Sequence, residues 1–486
     1  MKKIISVMLL AAMLLSLAAC GTNKTTGTIE TDNKIVWVCY GPKVREADKV
    51  EAAINEYLAD KIGQKVDMLI LTGNEYAEKL QMMIASNERV DLCFSANYTN
   101  FNSNVSKNFY LPMDEYVEEY GKDIKALYPD YVYKSGIVNG EMYALPAWKD
   151  FSYELSIGYV KQGAEELGMD PESIKSFEDL EPYLDAFKEK YPKEFPVAIN
   201  SNYTFYGTLG YIAVADDKAV GAMKIDGNDG KVVNPYEQAD TLEFMKLMHK
   251  WYNKGYIRTD AATSTSDIVM KKGKSLINVS QMLPYQRQVA NRSKAPDEQC
   301  GDIQLWEPWL VSTAGSMQSI PRTAKNPEGA MKFLNLLNTD ATLRNLVALG
   351  IEGEHYENVD EFHYRFPDGK KRDDMGYYSW PFTQGNVYLT KQIEGTPDDI
   401  YEKYQEFDDR AVQAQNFGFS FNGDNFKTEV AAIGNVYSEY IPALVTGSVD
   451  PEIYLPKALK EFEAAGIDTL IAEMQRQYDE WKKTSK

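Results

Sequence analysis

The sequence predicts an α/β protein that contains a parallel sheet and more than one domain. Between Lys34 and Ser95, segments with the composition of buried strands alternate with segments of helical periodicity. This β-α-β-α-β order implies a parallel sheet with helices on both faces. The chain has 486 residues, of which 44% are apolar and 26% charged, as in a soluble globular protein. One simple core does not accommodate that length, so two or more domains are expected.

Three predicted strands and two predicted helices fill the first part of the chain. In order they are strand 34–40, helix 44–60, strand 65–71, helix 74–87 with Asn74 as its cap, and strand 90–95. Ligands of parallel sheets sit beyond the carboxyl ends of the strands, which here are residues 40–42, 72–74 and 95–98. No GxGxxG follows the first strand, so a dinucleotide site is not expected.

Beyond residue 100 the predicted elements are mixed. Asn139-Gly140 predicts a β-hairpin within 138–146, and Asn326-Pro327-Glu328 provides a cap, a proline and an acid at the start of a helix. The other predicted elements are helix 176–190 with Ser176 as its N-cap, hairpin 225–233, helix 240–254 and a terminal helical region at 456–483. Hairpin 225–233 resembles a calcium loop only superficially. Lys231 stands where such a loop requires glycine, and we expect no metal there.

The first twenty residues, MKKIISVMLLAAMLLSLAAC, have the layout of an export signal. Two lysines precede a short apolar core, and residues 17–20 resemble the lipobox of bacterial lipoproteins, whose cysteine receives acyl chains. The alternative is a transmembrane anchor, but the apolar run is shorter than the roughly 20 residues of a membrane span. We therefore expect a signal peptide at 1–19, lipidation at Cys20 and a polar tether at 20–33. The mature protein is then held at the extracellular face of the cytoplasmic membrane.

Charge and cysteine content exclude several classes of function. Removal of residues 1–19 leaves 467 residues, and the loss of two lysines changes the net charge from −20 to −22, which repels nucleic acid. Cys39, Cys93 and Cys300 form no CxxC pair, and the three histidines form no metal-binding motif, so neither metal nor cofactor is expected. Buried thiols are the expected state of the cysteines. A disulfide between Cys39 and Cys93 is the alternative, because their predicted strands could be neighbours.

The chain is rich in tyrosine. It has 33 Tyr, 19 Phe and 7 Trp, which bring its aromatic content to 12%. Tyr and Trp combine a flat apolar face with a hydrogen-bonding edge, and this chemistry suits a sugar. Large exported domains are often tyrosine-rich for other reasons, so the composition favours a carbohydrate ligand without deciding it.

Several phrases of the sequence, taken in order, resemble extracellular solute-binding proteins of bacterial sugar importers. They are VNGEMYALP at 138–146, NPEGAMKFLNLLNTD at 326–340, GIEGEHYE at 350–357 and FGFSFN at 417–422. The last two resemble phrases of large Gram-positive carbohydrate-binding lipoproteins, which carry an extra C-terminal segment once listed as a domain of unknown function. Asn422 stands where aspartate is common in that segment.

The resemblance implies a two-lobed periplasmic-binding-protein-like fold, with a hinge between two doubly wound lobes and the ligand in the cleft. It also implies that closure of the hinge presents a surface to the permease of an ABC transporter. On the family pattern, lobe 1 comprises 34–146 plus about 312–350. Lobe 2 comprises 147–311 plus about 351–486, including the C-terminal segment. We expect a monomer.

The resemblance also implies where the ligand binds: at strand-end loops, after the YALP phrase, and at aromatic residues of the second lobe. Trp is expected to stack on sugar faces, while Asp, Glu, Asn and Lys bind hydroxyl pairs. The candidate ligand-binding residues are Tyr40, Asn97, Tyr98, Trp148, Lys149, Asp150, Asn202, Tyr203, Trp306, Glu307, Trp309 and Trp380. A core position is the alternative for each Trp, and a solvated turn is the alternative for Lys149 and Asp150. We expect Trp148 and Trp309 above all to face the cleft, Trp309 from an irregular loop.

Two alternative functions are a binding protein for a non-sugar solute and an anchored enzyme. A binding protein for peptides or another non-sugar solute would have the same fold. An anchored glycoside hydrolase would need two carboxylates about 5–10 Å apart, and 72 acidic residues make chance pairs common. No Ser-His-Asp, metal or nucleophile-elbow motif supports catalysis. We therefore expect an oligosaccharide-binding protein and not an enzyme.

Overall fold

A computed structural model describes residues 33–484, except 74, 204–205, 216–219, 226, 267–268, 283–294, 296 and 368. The expected signal peptide, the lipidation of Cys20 and nearly all of the tether lie outside the described residues. The same holds for the Asn74 cap and for position 226 of the calcium-like loop.

Ten strands of the described residues build two sheets. They are β1 (Lys34–Tyr40), β2 (Lys65–Leu71), β3 (Leu92–Ser95), β4 (Leu145–Pro146), β5 (Ser152–Val160), β6 (Ile277–Met282), β7 (Cys300–Gln304), β8 (Trp309–Leu310), β9 (Met317–Ser319) and β10 (Val412–Gln413). The first sheet has the order β2-β1-β3-β9-β4, in which β1, β2 and β3 are parallel and β9 is antiparallel to both β3 and β4. The second sheet has the order β6-β5-β8-β10, and β7 also pairs with β5.

Helices cover both sheets, as the β-α-β pattern predicts. In chain order they are α1 (Ala47–Lys61), α2 (Glu75–Ala85), α3 (Phe101–Ser106), α4 (Asp114–Tyr120), α5 (Lys122–Leu127), α6 (Asp130–Tyr133), α7 (Lys161–Leu167), α8 (Glu181–Lys190), α9 (Ala239–Asn253), α10 (Pro327–Thr339), α11 (Ala341–Leu349), α12 (Ile400–Asp409), α13 (Lys427–Val445), α14 (Pro451–Ala464) and α15 (Ile467–Thr484). Asn326 caps α10 as expected, since its Oδ1 accepts a hydrogen bond from Gly329 N at 3.0 Å.

Each sheet has its own core. Ile35, Trp37 and Leu92 of the first sheet are buried against α1 and α10, and the opposite face carries Val38 and Phe94. Alternate residues of a strand point to opposite faces, so this two-sided burial explains the near-continuous apolar runs of β1 and β3. The core of the second sheet contains residues of α8 and α9 and extends to the C-terminal helices α13, α14 and α15.

Three details of the secondary structure differ from the sequence prediction. The terminal region is two helices, α14 and α15, because the chain breaks at Gly466 with φ of +90°. Ser176 is not an N-cap, because α8 starts only at 181. Instead, Asp179 Oδ2 accepts hydrogen bonds from Lys175 N and Ser176 N. At the hairpin expected over 225–233, Ala222 and not residue 225 pairs with Val233.

Cys39 and Cys93 lie on the adjacent parallel strands β1 and β3 but form no disulfide, and both thiols are buried. Burial raises the pKa of the Cys93 thiol well above its ordinary value. Within the described parts of the chain, no helix is long and apolar enough to cross a membrane. The same residues contain no group of three or more His, Cys, Asp or Glu that could hold a metal ion.

The chain crosses between the two sheets at one edge of the first sheet. β4 ends at Pro146 and β5 starts at Ser152 in the second sheet; β8 ends at Leu310 and β9 starts at Met317 back in the first. The two connections, 147–151 and 311–316, run side by side, and Ala147 N donates to Ser316 O at 2.9 Å.

Asp408, near the end of α12, fixes the start of β5. Its carboxylate is buried and accepts hydrogen bonds from Phe151 N at 3.1 Å, from Ser152 N at 2.9 Å and from the Ser152 hydroxyl. Burial raises the pKa of Asp408, and these hydrogen bonds act against that effect because they favour the ionised form.

We expect Asp408→Ala to lower the free energy of unfolding by on the order of 1–3 kcal/mol, because it leaves buried N–H donors without an acceptor. Urea unfolding followed by circular dichroism measures the change. The matched control is Asp409→Ala, which removes an exposed carboxylate one residue further along the same helix. Equal stability of the two variants would show that the contact contributes nothing to the fold.

The segment after α11 contains a small sheet of strands Glu357–Asn358, His363–Arg365 and Gln392–Ile393. Both ring nitrogens of His363 face oxygen acceptors: Nδ1 is 2.9 Å from Asp360 Oδ2, and Nε2 is 2.8 Å from Thr396 O. Only the imidazolium donates from both nitrogens. The hydrogen bond to Asp360 raises the pKa of His363 above 6.5, and the same contact lowers the pKa of Asp360 to about 2.

We therefore predict a stability that depends on pH through His363. The imidazolium contribution is complete below pH 6.5 and is lost as the pH rises through the higher folded-state pKa. Melting temperatures of the native protein and of His363→Gln should converge at alkaline pH and separate near pH 6. A titration of His363 at or below 6.5 by two-dimensional NMR would contradict this.

Candidate functional site

Three candidate segments meet at the edge of the first sheet where the chain crosses to the second. Tyr40 ends β1, Asn97 and Tyr98 follow β3, and Trp148 follows β4. Because β1, β3 and β4 run in the same direction, their carboxyl ends share one edge. This is the edge at which ligands of open α/β sheets bind. Asn97 N donates to Ala314 O at 3.1 Å, which joins the loop after β3 to the second crossing connection.

Four aromatic rings form a continuous surface at this edge, and we call Tyr40, Tyr98, Trp380 and Phe382 the aromatic wall. The Tyr40 centroid lies 6.1 Å from that of Tyr98 and 5.2 Å from that of Trp380, while Trp380 and Phe382 stack at 6.2 Å. Tyr98 is 56% exposed and Phe382 is 44% exposed. The wall therefore offers apolar faces to solvent, the property that a sugar-stacking surface requires.

The aromatic wall rests on buried rings. Tyr40 stacks on Phe94 with centroids 4.9 Å apart and an interplanar angle of 18°, and its edge meets Tyr76 at 5.3 Å. The Tyr76 hydroxyl donates to Phe94 O at 2.7 Å. Tyr40 follows the alternation of β1 and lies on the same face as buried Val38. The base of the wall is thus part of the core, and its outer rings need no rearrangement to present a flat surface.

The polar candidates Lys149 and Asp150 lie in the first crossing connection. Together with Trp148, Tyr388 and Tyr404 they form what we call the hinge recess. Trp148 is half-buried, with its ring 4.7 Å from Tyr128 and 6.1 Å from Tyr388. Lys149 Nζ is 3.9 Å from Asp150 Oδ2, and the two side chains are 20% and 23% exposed. The recess thus offers a positive donor and a negative acceptor next to an indole ring.

Electrostatics in the hinge recess are dominated by burial and by two carboxylates. Burial raises the pKa of Asp150; Lys149 acts against this rise, and Asp408 adds to it. Burial raises the pKa of the Tyr404 phenol too, with a further contribution from Asp150. The hydroxyl of Tyr388 is buried and has no hydrogen-bond partner among the described residues. These hydroxyls stay protonated and can donate to a ligand oxygen.

The candidate residues at the second sheet differ in their exposure to solvent. Trp306 is 37% exposed and its ring centroid lies 6.1 Å from that of Trp309. Glu307 is exposed and lies 3.7 Å from Arg410. Trp309 is 3% exposed, lies on strand β8 and packs with Ile212, Ile225 and Ala414. The expected irregular loop at Trp309 is therefore wrong: pairing with β5 and β10 buries this ring in a small core.

Asn202 and Tyr203 follow residues 196–200, in which Val197 forms isolated β-bridges to Ile257 and Ile277. Asn202 is exposed, and its backbone N donates to Asn200 Oδ1 at 2.9 Å. Tyr203 is 9% exposed, and its hydroxyl is 2.7 Å from Thr208 Oγ1. Its ring belongs to the core of the second sheet. We retain Asn202 and Trp306 as candidates and omit Tyr203 and Trp309.

Sequence reasoning missed Phe382, Tyr388, Tyr404 and Asp408. Phe382 was within reach, because it lies two residues after Trp380 in the phrase YYSWPF. The other three belong to segments without a signature of their own. Only the fold brings Tyr388 and Tyr404 to a connection more than 200 residues earlier in the chain.

The chain matches two family models. Residues 42–342 match the bacterial extracellular solute-binding protein family, and residues 415–483 match a domain of unknown function, DUF3502. A curated relative from Streptococcus pneumoniae serotype 4 is a carbohydrate ABC transporter substrate-binding protein. It is 31% identical over 492 residues that cover 99% of this chain and 98% of the relative.

Solved structures agree with this assignment. The crystal structure of the N-glycan transport solute binding protein (NgtS) from Streptococcus pneumoniae is 28% identical. It has a TM-score of 0.80 and covers 93% of this chain and 100% of its own. A complex of that protein with Man5GlcNAc matches at 26% identity and a TM-score of 0.68, over 93% of this chain and 99% of its own. The two-lobed α/β fold predicted from the sequence is confirmed. The chain belongs to the family of bacterial extracellular solute-binding proteins.

Proposed function

We propose that this protein captures an oligosaccharide in a cleft between its lobes and delivers it to the permease of an ABC transporter. The observation that carries the proposal is the aromatic wall, which lies at the ligand-binding edge of the first sheet. The relative that matches nearly the whole chain is a carbohydrate transporter component. The family consists of binding proteins, so no catalytic step is part of the proposal.

The two parts of the candidate site have complementary roles in this proposal. The aromatic wall stacks on the C–H faces of sugar rings without strong preference for linkage. Lys149, Asp150 and the hydroxyl of Tyr388 bind ligand hydroxyls. Tyr388 adds specificity, because a missing ligand hydroxyl would leave its buried hydroxyl without a partner among the described residues. A peptide would need acceptors and donors for its backbone along an extended groove. The wall of four rings favours the sugar.

The ligand we propose is uncharged. Asp150 and Asp408 place two carboxyl groups beside the ammonium of Lys149, and burial raises the pKa of both carboxyls. A sugar acid bound there would face like-charge repulsion in a partly desolvated site. Neutral oligosaccharides such as Man5GlcNAc, the ligand in the complex of the N-glycan transport solute binding protein, avoid this cost.

For the lobes, we propose that connections 147–151 and 311–316 form the hinge. The first sheet and its helices then belong to lobe 1, and the second sheet with the C-terminal helices belongs to lobe 2. The sequence pattern assigned 351–399 to lobe 2. The contacts of this segment with α11, such as that between Arg344 and Asn386, lead us to propose lobe 1 for it instead. Closure about this hinge would enclose the ligand.

We also propose that acyl chains on Cys20 anchor the mature protein to the extracellular face of the cytoplasmic membrane. The lipobox at 17–20 and the polar tether support this. The match to the curated relative covers 99% of the chain, so it extends into residues 1–32. Each buried methylene contributes about 0.8 kcal/mol to membrane attachment.

We predict that the purified protein binds a neutral oligosaccharide with micromolar or tighter affinity, roughly −8 kcal/mol. Trp380→Ala should weaken binding by on the order of 1 kcal/mol, the usual value of an aromatic contact, with little change in the melting temperature of the free protein. Trp309→Ala should lower the free energy of unfolding by about 3–5 kcal/mol, because its ring is buried in a core, and should change affinity little. Isothermal titration calorimetry and thermal unfolding separate the two effects.

A mannose-containing glycan, an oligouronate of equal length and a peptide serve as the ligands. Binding of the peptide alone would overturn the proposed function, and tight binding of the oligouronate would overturn the charge argument only. Mass spectrometry of the recovered glycan tests for hydrolysis. A cleaved product would identify an enzyme.

We predict that Cys20→Ala releases the protein into the medium or leaves it as unprocessed precursor, since no acyl chain can then be attached. Membrane fractionation and labelling with an alkyne fatty acid measure this, with Cys39→Ala as the matched cysteine control. Unchanged labelling of the Cys20 variant would show that the anchor lies elsewhere.

A further inference from the structure

Arg344 on α11 is fully buried, and among the described residues its titratable neighbours are tyrosines and not carboxylates. Burial lowers the pKa of its guanidinium to about 10. A buried charge without a counterion costs several kcal/mol unless hydrogen bonds replace its hydration. The positions of the hydrogen-bond acceptors of Arg344 therefore indicate the role of a side chain whose burial is unfavourable.

Both partnered nitrogens of Arg344 donate to backbone carbonyls of one segment, residues 380–387, which we call the strap. Nε donates to Asn386 O at 2.9 Å, and Nη2 donates to Pro381 O at 2.6 Å. The two acceptors lie five residues apart, near opposite ends of the strap. Arg344 thus fixes the strap at two points, a task suited to the planar fork of a guanidinium and not to the single ammonium of lysine.

The strap is also tied to the first sheet. Gln318 Nε2 on β9 donates to Thr383 O at 3.0 Å. Gly385 has φ of +67°, and a Cβ at this position would come within 2.9 Å of Leu337 Cγ and 3.3 Å of Arg344 Cδ. The strap therefore passes directly over the stem of the arginine, with no room for a side chain there.

The strap connects the two parts of the candidate site. At one end, Trp380 packs against Tyr40 in the aromatic wall. At the other end, Trp148 N donates to Gly385 O at 3.0 Å, and Val387 N donates to Trp148 O at 2.7 Å. The position of the strap thus sets how far the stacking surface lies from the hinge recess.

We propose that Arg344 is a positioning residue for ligand binding. It holds the strap so that the aromatic wall and Trp148 engage the same oligosaccharide. The proposal rests on the proposed function for its ligand, but its structural half, the fixing of the strap, applies to the free protein as well. Because Arg344 is fully buried, its proposed effect on the ligand is exerted through the strap.

The test is a double-mutant cycle between Arg344→Lys and Trp380→Ala, with affinity for the neutral glycan as the readout. If Arg344 acts through the strap, Arg344→Lys weakens binding about tenfold in the native background and less than about twofold when Trp380 is already removed. The control is Arg322→Lys, because Arg322 is an exposed arginine that packs over Phe109. This variant should leave the affinity for the glycan unchanged. Thermal unfolding of each variant confirms that the protein is folded.

Equal losses in both backgrounds, or no loss in either, would overturn the proposal. A second measurement needs no ligand: hydrogen exchange of peptides that contain Trp148 and Val387. Arg344→Lys should speed exchange there by more than tenfold while helix α14 stays protected, and unchanged exchange would likewise overturn the proposal. If the native protein binds no glycan but the strap is loosened, the proposed function fails and the role of Arg344 in fixing the strap stands.

Discussion

The hydrogen bonds that the Asp408 carboxylate accepts at the start of β5 are the constraint on which the arrangement of the two sheets depends. β5 pairs with β6, β7 and β8, so its position sets the second sheet. It begins only six residues after β4 ends in the first sheet. A carboxylate that accepts two backbone N–H groups and a hydroxyl therefore fixes the direction in which the chain leaves one sheet and enters the other.

Asp408 and Arg344 each hold an irregular segment of the chain in place through the hydrogen bonds of a buried charged group. Each is a buried charge whose described hydrogen bonds go mainly to backbone groups and not to an opposite charge. Backbone donors and acceptors sit at defined positions along a chain, so such bonds select one conformation of an irregular segment. An ion pair between two flexible side chains would tolerate several. The segments held in this way, 147–152 and 380–387, lack periodic secondary structure for most of their length, so hydrogen bonds of this kind determine much of their conformation.

The sequence predicted those parts of the fold in which local rules and burial agree. β1 and β2 have the predicted bounds because both are apolar runs bordered by polar residues, and the Asn139-Gly140 turn forms with both residues at positive φ. Trp309 was misjudged because β8 is two residues long, too short to show a period, and its burial comes from strands that begin 157 residues earlier and 103 residues later. The position of the strap depends on Gln318 and Arg344, which no local pattern connects to it.

The candidate site likewise has a part that local sequence predicts and a part that depends on distant contacts. The binding free energy that each part can supply differs. The residues at the edge of the first sheet were predictable because parallel strands place their carboxyl ends together. Four rings at about 0.5–1.5 kcal/mol each contribute a few kcal/mol, less than the roughly 8 kcal/mol of a micromolar complex. The association itself costs further free energy. In the proposed function, the remainder comes from polar groups of the hinge recess and from contacts made by the second lobe on closure. Affinity therefore depends on the geometry of the crossing connections, which is the geometry that Asp408 fixes.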